Sequence, residues 1–233
     1  MKNSNISLRP LLMAFAFMMM ASVAFSQDRE NVDVSSFNVL KVSSAFVVEI
    51  SVGSTESLEI EIDDRYRDDL IAEVRGGTLV IGLEDRRSRR MRESPKAYIT
   101  VKSLEEINIS GAVTLKTFDI LKGDRMDLKM SGASVVNMEV EVDELFIDAS
   151  GACVINMEGM AKEQRLKSSG ATTYRAYDLE SEFADIRVNG AGSARVSVSD
   201  ELDARASGAS SIRYRGNPRV NSDTSGASSV RKG

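Results

Sequence analysis

The chain reads as all-β: a right-handed parallel β-solenoid with turns of about 19 residues, preceded by an irregular β N-terminal part. Three observations predict this. The triplet Ser/Asn-Gly-Ala occurs seven times, with its glycine at Gly111, Gly132, Gly151, Gly170, Gly190, Gly208 and Gly226, at spacings of 21, 19, 19, 20, 18 and 18 residues. The residues around each glycine alternate between apolar and polar, the period-two pattern of a half-buried strand. Finally, no repeat contains a stretch that would serve as a crossover helix, so the strands must pair with their equivalents in neighbouring turns.

The chain opens with Lys2 and Arg9 ahead of the apolar run Leu11 to Phe25 and a small-residue exit at Ala24 and Ser26. This pattern predicts a secretory signal peptide over 1–26, cleaved before Gln27. Its apolar run is shorter than the roughly 20 residues a membrane-spanning helix needs. No cysteine lies near the exit to take a lipid anchor, and the rest of the chain holds no run of membrane-spanning length.

An N-terminal β region over 27–104 follows. It lacks the triplet but keeps the alternation in "FNVLKV", "FVVEISV", "LEIEI", "LIAEV", "TLVIGL" and "AYITV", with turn residues in "VGSTES" and "RGGTL". These strands form either the first solenoid turns or a cap. The Ser-Gly-Ala repeat solenoid then covers 105–233. Four residues before the glycines stand Ile107, Leu128, Ile147, Leu166, Ile186, Ala204 and Ser222, and four after stand Leu115, Val136, Ile155, Tyr174, Ala194, Ile212 and Val230. Three before, every residue is polar: Asn108, Lys129, Asp148, Lys167, Arg187, Arg205 and Asp223. Glycine belongs where a Cβ would crowd the interior or the next turn. The row Ser110, Ser131, Ser150, Ser169, Asn189, Ser207 and Ser225 suits turn hydrogen bonding, with a binding surface as its alternative reading. Right-handedness is the usual preference of parallel crossovers.

Function is less legible. The formal charge is −5, or −7 once Lys2 and Arg9 are removed, which argues against nucleic acid as a partner. Histidine is absent, and with it the commonest general base and metal ligand. Cys153, the single cysteine, excludes an internal disulfide and reads as a small inward filler. No catalytic residue, cofactor site or metal site is assigned. Asp63, Asp64, Asp68 and Asp69 could supply calcium ligands, but the glycine-aspartate nonapeptide of calcium-binding β-rolls is missing. Tyr174, Tyr177 and Tyr214 read as core or rim packing rather than a sugar-stacking patch. The candidate anion-binding cluster is Arg86, Arg87, Arg89, Arg90 and Arg92, whose other reading is a solvated loop.

Seven Ser-Gly-Ala turns behind a signal peptide, with "F-x-V-L-x-V" from Phe37 and "GGTLVIGL" from Gly76, resemble the auto-transporter adhesin head domain, or GIN domain, of exported Bacteroidetes proteins. The resemblance covers roughly Phe37 to Val230. It implies a right-handed β-solenoid at the periplasm, outer-membrane surface or cell exterior, and brings no catalytic motif. The expected role is a non-enzymatic, adhesin-like binding module for glycan or an envelope protein. Two alternatives remain: a polysaccharide-active β-helix enzyme, by analogy of fold, and a self-assembling structural protein of the envelope.

Overall fold

The structure, a computed structural model of the protein, describes residues 29–84 and 93–233; the expected signal peptide lies outside the described residues. Its geometry is set at the glycine corner. All seven repeat glycines have positive φ, between +74° and +112°. A Cβ on Gly132 would lie 2.4 Å from the carbonyl oxygen of Gly111, and one on Gly151 the same distance from that of Gly132. That carbonyl is already used, because the N–H of the alanine one turn later donates to it. Ala133 to Gly111, Ala152 to Gly132, Ala171 to Gly151 and Ala209 to Gly190 are all 2.8 Å bonds. Glycine is thus required both by its φ and by the approach of the next turn.

From this corner the chain builds one continuous sheet. Strands β1 (Arg29–Val32), β2 (Val39–Ser44), β3 (Val47–Val52) and β4 (Ser57–Glu61) come first. A 3₁₀ turn at Asp64–Asp69 leads to β5 (Leu70–Arg75), β6 (Thr78–Leu83) and β7 (Lys96–Val101). The regular turns are β8 (Glu106–Gly111), β9 (Thr114–Thr117), β10 (Leu121–Gly132), β11 (Val135–Gly151), β12 (Val154–Gly170), β13 (Thr173–Gly190) and β14 (Ser193–Gly208). Last come β15 (Ser211–Arg215), β16 (Arg219–Thr224) and β17 (Ser229–Lys232). Each of β11 to β13 runs from one glycine corner to the next. Parallel pairing sets Gly111, Gly132, Gly151, Gly170, Gly190 and Gly208 in register. Repeats of unequal length are accommodated by register shifts after Asn156, Ala176 and Ser181, away from the corner.

The first third belongs to the same stack. β2 and β3 form a complete turn, with Ser43 opposite Ser110 and Ser44 opposite Gly111. Ser44 is the one non-glycine residue with positive φ (+71°) among those described, and its carbonyl accepts from Ala112 N at 2.9 Å. "SSA" at 43–45 is therefore an eighth corner that carries serine in place of glycine. The turn made by β6 and β7 follows in sequence but stacks on the opposite side of β2–β3 from β8–β9. β5 then pairs antiparallel with β6, β4 with β7 and β1 with β4. These antiparallel strands cover the edge that a bare solenoid would leave open.

Inward rows are aliphatic and fully buried: Leu40, Ile107, Leu128, Ile147, Leu166, Ile186 and Ala204 line one of them. A single apolar core runs from Phe37 to Ile212. Tyr174 occupies an aliphatic row, and the next rung is Ala194. Its hydroxyl donates to Gln164 Oε1 (3.0 Å), Gln164 Nε2 donates to Ser181 Oγ (2.6 Å), and Ser181 Oγ donates to the Ser197 carbonyl (2.8 Å). All three side chains are buried, and the chain of bonds gives each of them a partner inside the core.

Three outcomes follow from this architecture. Gly151→Ala should destabilise the protein by about 2–4 kcal/mol, read as a shifted urea midpoint. Gly123→Ala, where a Cβ meets nothing closer than 3.9 Å, should stay within about 0.5 kcal/mol of the parent. Tyr174→Phe strands the Gln164 acceptor in the core and should cost about 1–3 kcal/mol in the same assay.

A further outcome concerns acid. Glu61 is held below the usual carboxylate range by Lys96, with Tyr98 adding a second bond, and Glu56 is drawn from 4.5 to about 2, first by Lys102 and then by Ser36. Both groups favour the folded cap when ionised, so their contribution is whole above pH 4.5 and is lost as pH falls toward 2. A Glu56→Gln/Glu61→Gln variant should show a flatter fall of the urea midpoint across that window.

Candidate binding surfaces

A solenoid turns sequence periodicity into rows of identical environment, so its sites are rows rather than clusters. Between the glycine corners the inward alternation changes phase at Asp143, Lys162 and Glu182, where two residues that are not buried separate Val142 from Leu145, Ala161 from Gln164 and Ser181 from Ala184. There the successive turns enclose a groove of about 590 Å³ running along the stack from Gly123 to Gly216. Glu141, Met160 and Glu180 stand in register along it. Met160 is 55% exposed, an unusual state for a large apolar side chain. Acidic groups predominate, and Lys122 Nζ pairs with Glu141.

A second surface lies over the strand halves that lead into each glycine corner. Asp148, Lys167, Arg187 and Arg205 form one outward row. Arginines here are paired with a carboxylate two residues away: Arg125 with Asp127, Arg165 with Glu163, Arg187 with Asp185 and Arg205 with Asp203. Phe146 sits outside, its ring 4.1 Å from the Arg125 guanidinium and 4.9 Å from that of Arg165. A shallow depression of about 300 Å³ spans Phe146, Arg165 and Lys167. The charges largely neutralise one another and leave little to hold a ligand.

The third surface follows the glycine corner. Its outward residues begin at Lys116, Asn137 and Asn156 and continue as Arg175, Arg195, Arg213 and Arg231, all in register. The four arginines are exposed.

The residues singled out in the sequence are distributed as follows. Arg86, Arg87, Arg89, Arg90 and Arg92 lie outside the described residues. In the serine row, Ser131 Oγ and Ser150 Oγ make long bonds (3.4 Å) to carbonyls of the preceding turn, and Ser207 Oγ bonds Asn189 Oδ1 at 2.7 Å. Cys153 is fully buried, 3.5 Å from the Ser150 carbonyl, and burial pushes its thiol up. The equivalent Ser210 and Ser228 hydroxyls donate to the same corner carbonyl, at 3.0 and 2.8 Å. Asp63 caps the 3₁₀ turn by accepting from Arg65 N, and Asp64 pairs with Arg67 at 3.0 Å. Tyr174 is core, while Tyr177 lies under the Arg215 guanidinium at 3.9 Å. The groove, Phe146 and the arginine row were not singled out. For the arginine row the signal is present in the sequence, as a basic residue five after the glycine in each of the last four repeats.

Among the described residues no helix is long and apolar enough to cross a membrane. Solved structures share the fold. A "putative adhesin" from Bacteroides fragilis superposes with a TM-score of 0.83 at 20% identity, covering 88% of this chain and 96% of that one. A "putative lipid binding protein" from Parabacteroides distasonis gives 0.69 at 20% identity, over 88% and 96% of the two chains. A "putative adhesin" from Parabacteroides merdae gives 0.69 at 21%, over 88% and 95%. No curated protein matches the chain. A family model described as "Putative auto-transporter adhesin, head GIN domain" matches residues 36–218, and the chain belongs to that family.

Proposed function

We propose that this chain is an exported, non-enzymatic binding module of the cell envelope, adhesin-like in that it presents the outside of a rigid β-stack to a glycan or surface protein. The observation that carries the reading is where the reactive groups sit. Cys153, Tyr174, Gln164 and Ser181 are buried in the interior and bonded there, and the chemistry that remains is spread along outward rows. Family membership and the adhesin descriptions of its structural relatives support the same view. The basic, apolar N-terminus supports export.

A polysaccharide-active enzyme fits less well. The groove acids Glu141, Asp143, Glu180 and Glu182 are all exposed, without the apolar enclosure that holds a general acid protonated near neutral pH. An internal lipid site fits poorly too, since side chains fill the solenoid interior along its length.

Residues 27–233, immobilised and challenged with fractionated envelope and a glycan array, should retain defined components and release no reducing ends from any polysaccharide offered. Depolymerisation that disappears in Asp148→Ala would overturn the non-enzymatic reading. Retention of nothing from either source would overturn the binding reading. In a host that exports the chain, mass spectrometry should find the processed N-terminus at Gln27.

A further inference from the structure

The face that follows the glycine corner differs in kind from the face that precedes it. We propose that its last four turns form a linear binding site for an acidic polysaccharide, whose carboxylate or sulfate groups are held by the ladder Arg175, Arg195, Arg213 and Arg231. The proposal rests on the reading of the chain as a binding module and gives that module a site and a ligand class.

The ladder is built by register. Arg175 pairs with Arg195, Arg195 with Arg213 and Arg213 with Arg231 on adjacent parallel strands. At the inter-strand spacing of about 4.8 Å, the four guanidinium stems line up over about 14 Å. Like charges directly opposite on neighbouring strands are destabilising, yet the arrangement recurs through four turns.

The same protein shows how such arginines are neutralised. On the preceding face, an acid stands two residues before the arginine in Glu163-x-Arg165, Asp185-x-Arg187 and Asp203-x-Arg205, and each of these pairs is an ion pair. On the ladder face that position holds a hydroxyl, in Thr173-x-Arg175, Ser193-x-Arg195, Ser211-x-Arg213 and Ser229-x-Arg231. Those hydroxyls are themselves in register and half-buried. Among the described residues none of the four arginines joins an ion pair. Arg175 Nη1 donates to Asn156 Oδ1 at 3.2 Å, and that acceptor is neutral.

The outcome is a rail of cations beside a rail of hydroxyls on a protein that is acidic overall. Arg215, stacked on Tyr177, adds a fifth cation two residues beyond Arg213. Guanidinium groups match the paired oxygens of carboxylate and sulfate, and the neighbouring hydroxyls can bond sugar oxygens.

The shape selects among polyanions. The row is straight and one residue wide, which suits a single extended chain rather than the plane of a membrane. It carries no exposed apolar side chain to enter lipid. Nucleic acid would want a free aromatic ring for its bases, and the Tyr177 face is already covered by Arg215. Polygalacturonate and dextran sulfate share the chemistry required and differ in its source.

The test is calorimetric titration of residues 27–233 at about 0.15 M salt, using polygalacturonate, dextran sulfate, neutral dextran, anionic phospholipid vesicles and a thymidine oligonucleotide. Two variants remove equal charge: Arg175→Gln/Arg195→Gln/Arg213→Gln/Arg231→Gln from the ladder, and Arg125→Gln/Arg165→Gln/Arg187→Gln/Arg205→Gln from the preceding face. The parent should bind at least one acidic polysaccharide and not neutral dextran, and the preferred polymer identifies carboxylate or sulfate. The ladder variant should bind about tenfold more weakly or worse, and the other variant should lose less than about threefold. With its like charges relieved, the ladder variant should melt no lower than the parent, so lost binding is not lost folding. Equal losses in both variants, or no binding of either acidic polymer, would overturn the site. So would a ladder-dependent preference for vesicles or the oligonucleotide. If envelope components are still retained while this titration fails, the site falls and the module reading stands; if neither binds, both fall.

Discussion

The constraint that recurs at every regular turn of this molecule is the contact between one glycine and the carbonyl of the glycine one turn before it. A Cβ at that point would sit 2.4 to 2.8 Å from a backbone oxygen at every repeat from Gly132 to Gly226. No rotamer change relieves such a contact, because the obstruction is main chain. The carbonyl cannot withdraw either, since it accepts the N–H of the following alanine. Corner geometry, parallel register and the inward stacking of aliphatic residues are therefore consequences of a single repeated approach. Variation is pushed elsewhere: the 20-residue and 18-residue turns are reconciled by shifts near Tyr177 and Ser181, while the corner stays aligned.

Ser44 shows how strong this constraint is within the stack and how it relaxes toward the end. It takes positive φ without being glycine. Its Oγ bonds the backbone of Leu83, accepting from the N–H and donating to the carbonyl, both at 3.4 Å. The register of β2 with β6 ends at Val42, so no full corner lies on that side. Where a neighbouring corner is missing, the requirement for glycine goes with it, and a small polar side chain can help join the solenoid to its cap.

This also explains what could be read in advance. Seven glycine corners and the alternation around them were legible because each repeat obeys the same steric rule, and a rule applied seven times leaves a periodic trace. The eighth corner was hidden by the one substitution the end of the stack permits. The threading of β6–β7 to the far side of β2–β3 leaves no periodic trace, since it depends on long-range pairing rather than local pattern. The bonds from Tyr174 to Gln164 and Ser181 join side chains that the repeat places in different rows. Aligning on glycine brings equivalent positions together and separates these partners. The arginine cluster at 86–92 drew attention because its charges are consecutive. The ladder Arg175, Arg195, Arg213 and Arg231 is dispersed over 57 residues and becomes a patch only after folding.

The solenoid thus has two ways of using arginine, and they differ by one residue type. With Asp or Glu two positions earlier, the guanidinium is tied along its own strand and the face is nearly neutral. With Ser or Thr there, the same backbone presents the charge to solvent, and four turns add their fields along one line. Net charge does not reveal this, because the acids predominate elsewhere, in the groove around Glu141, Asp143, Glu180 and Glu182. Placing the signs in different rows lets a protein that is acidic overall present one narrow cationic face. In a repeat architecture such a face can be lengthened, shortened or erased one turn at a time without disturbing the corner, because the residues that set ligand charge point outward and those that hold the stack point inward. Specificity in this fold can therefore vary along rows whose register the glycines keep constant.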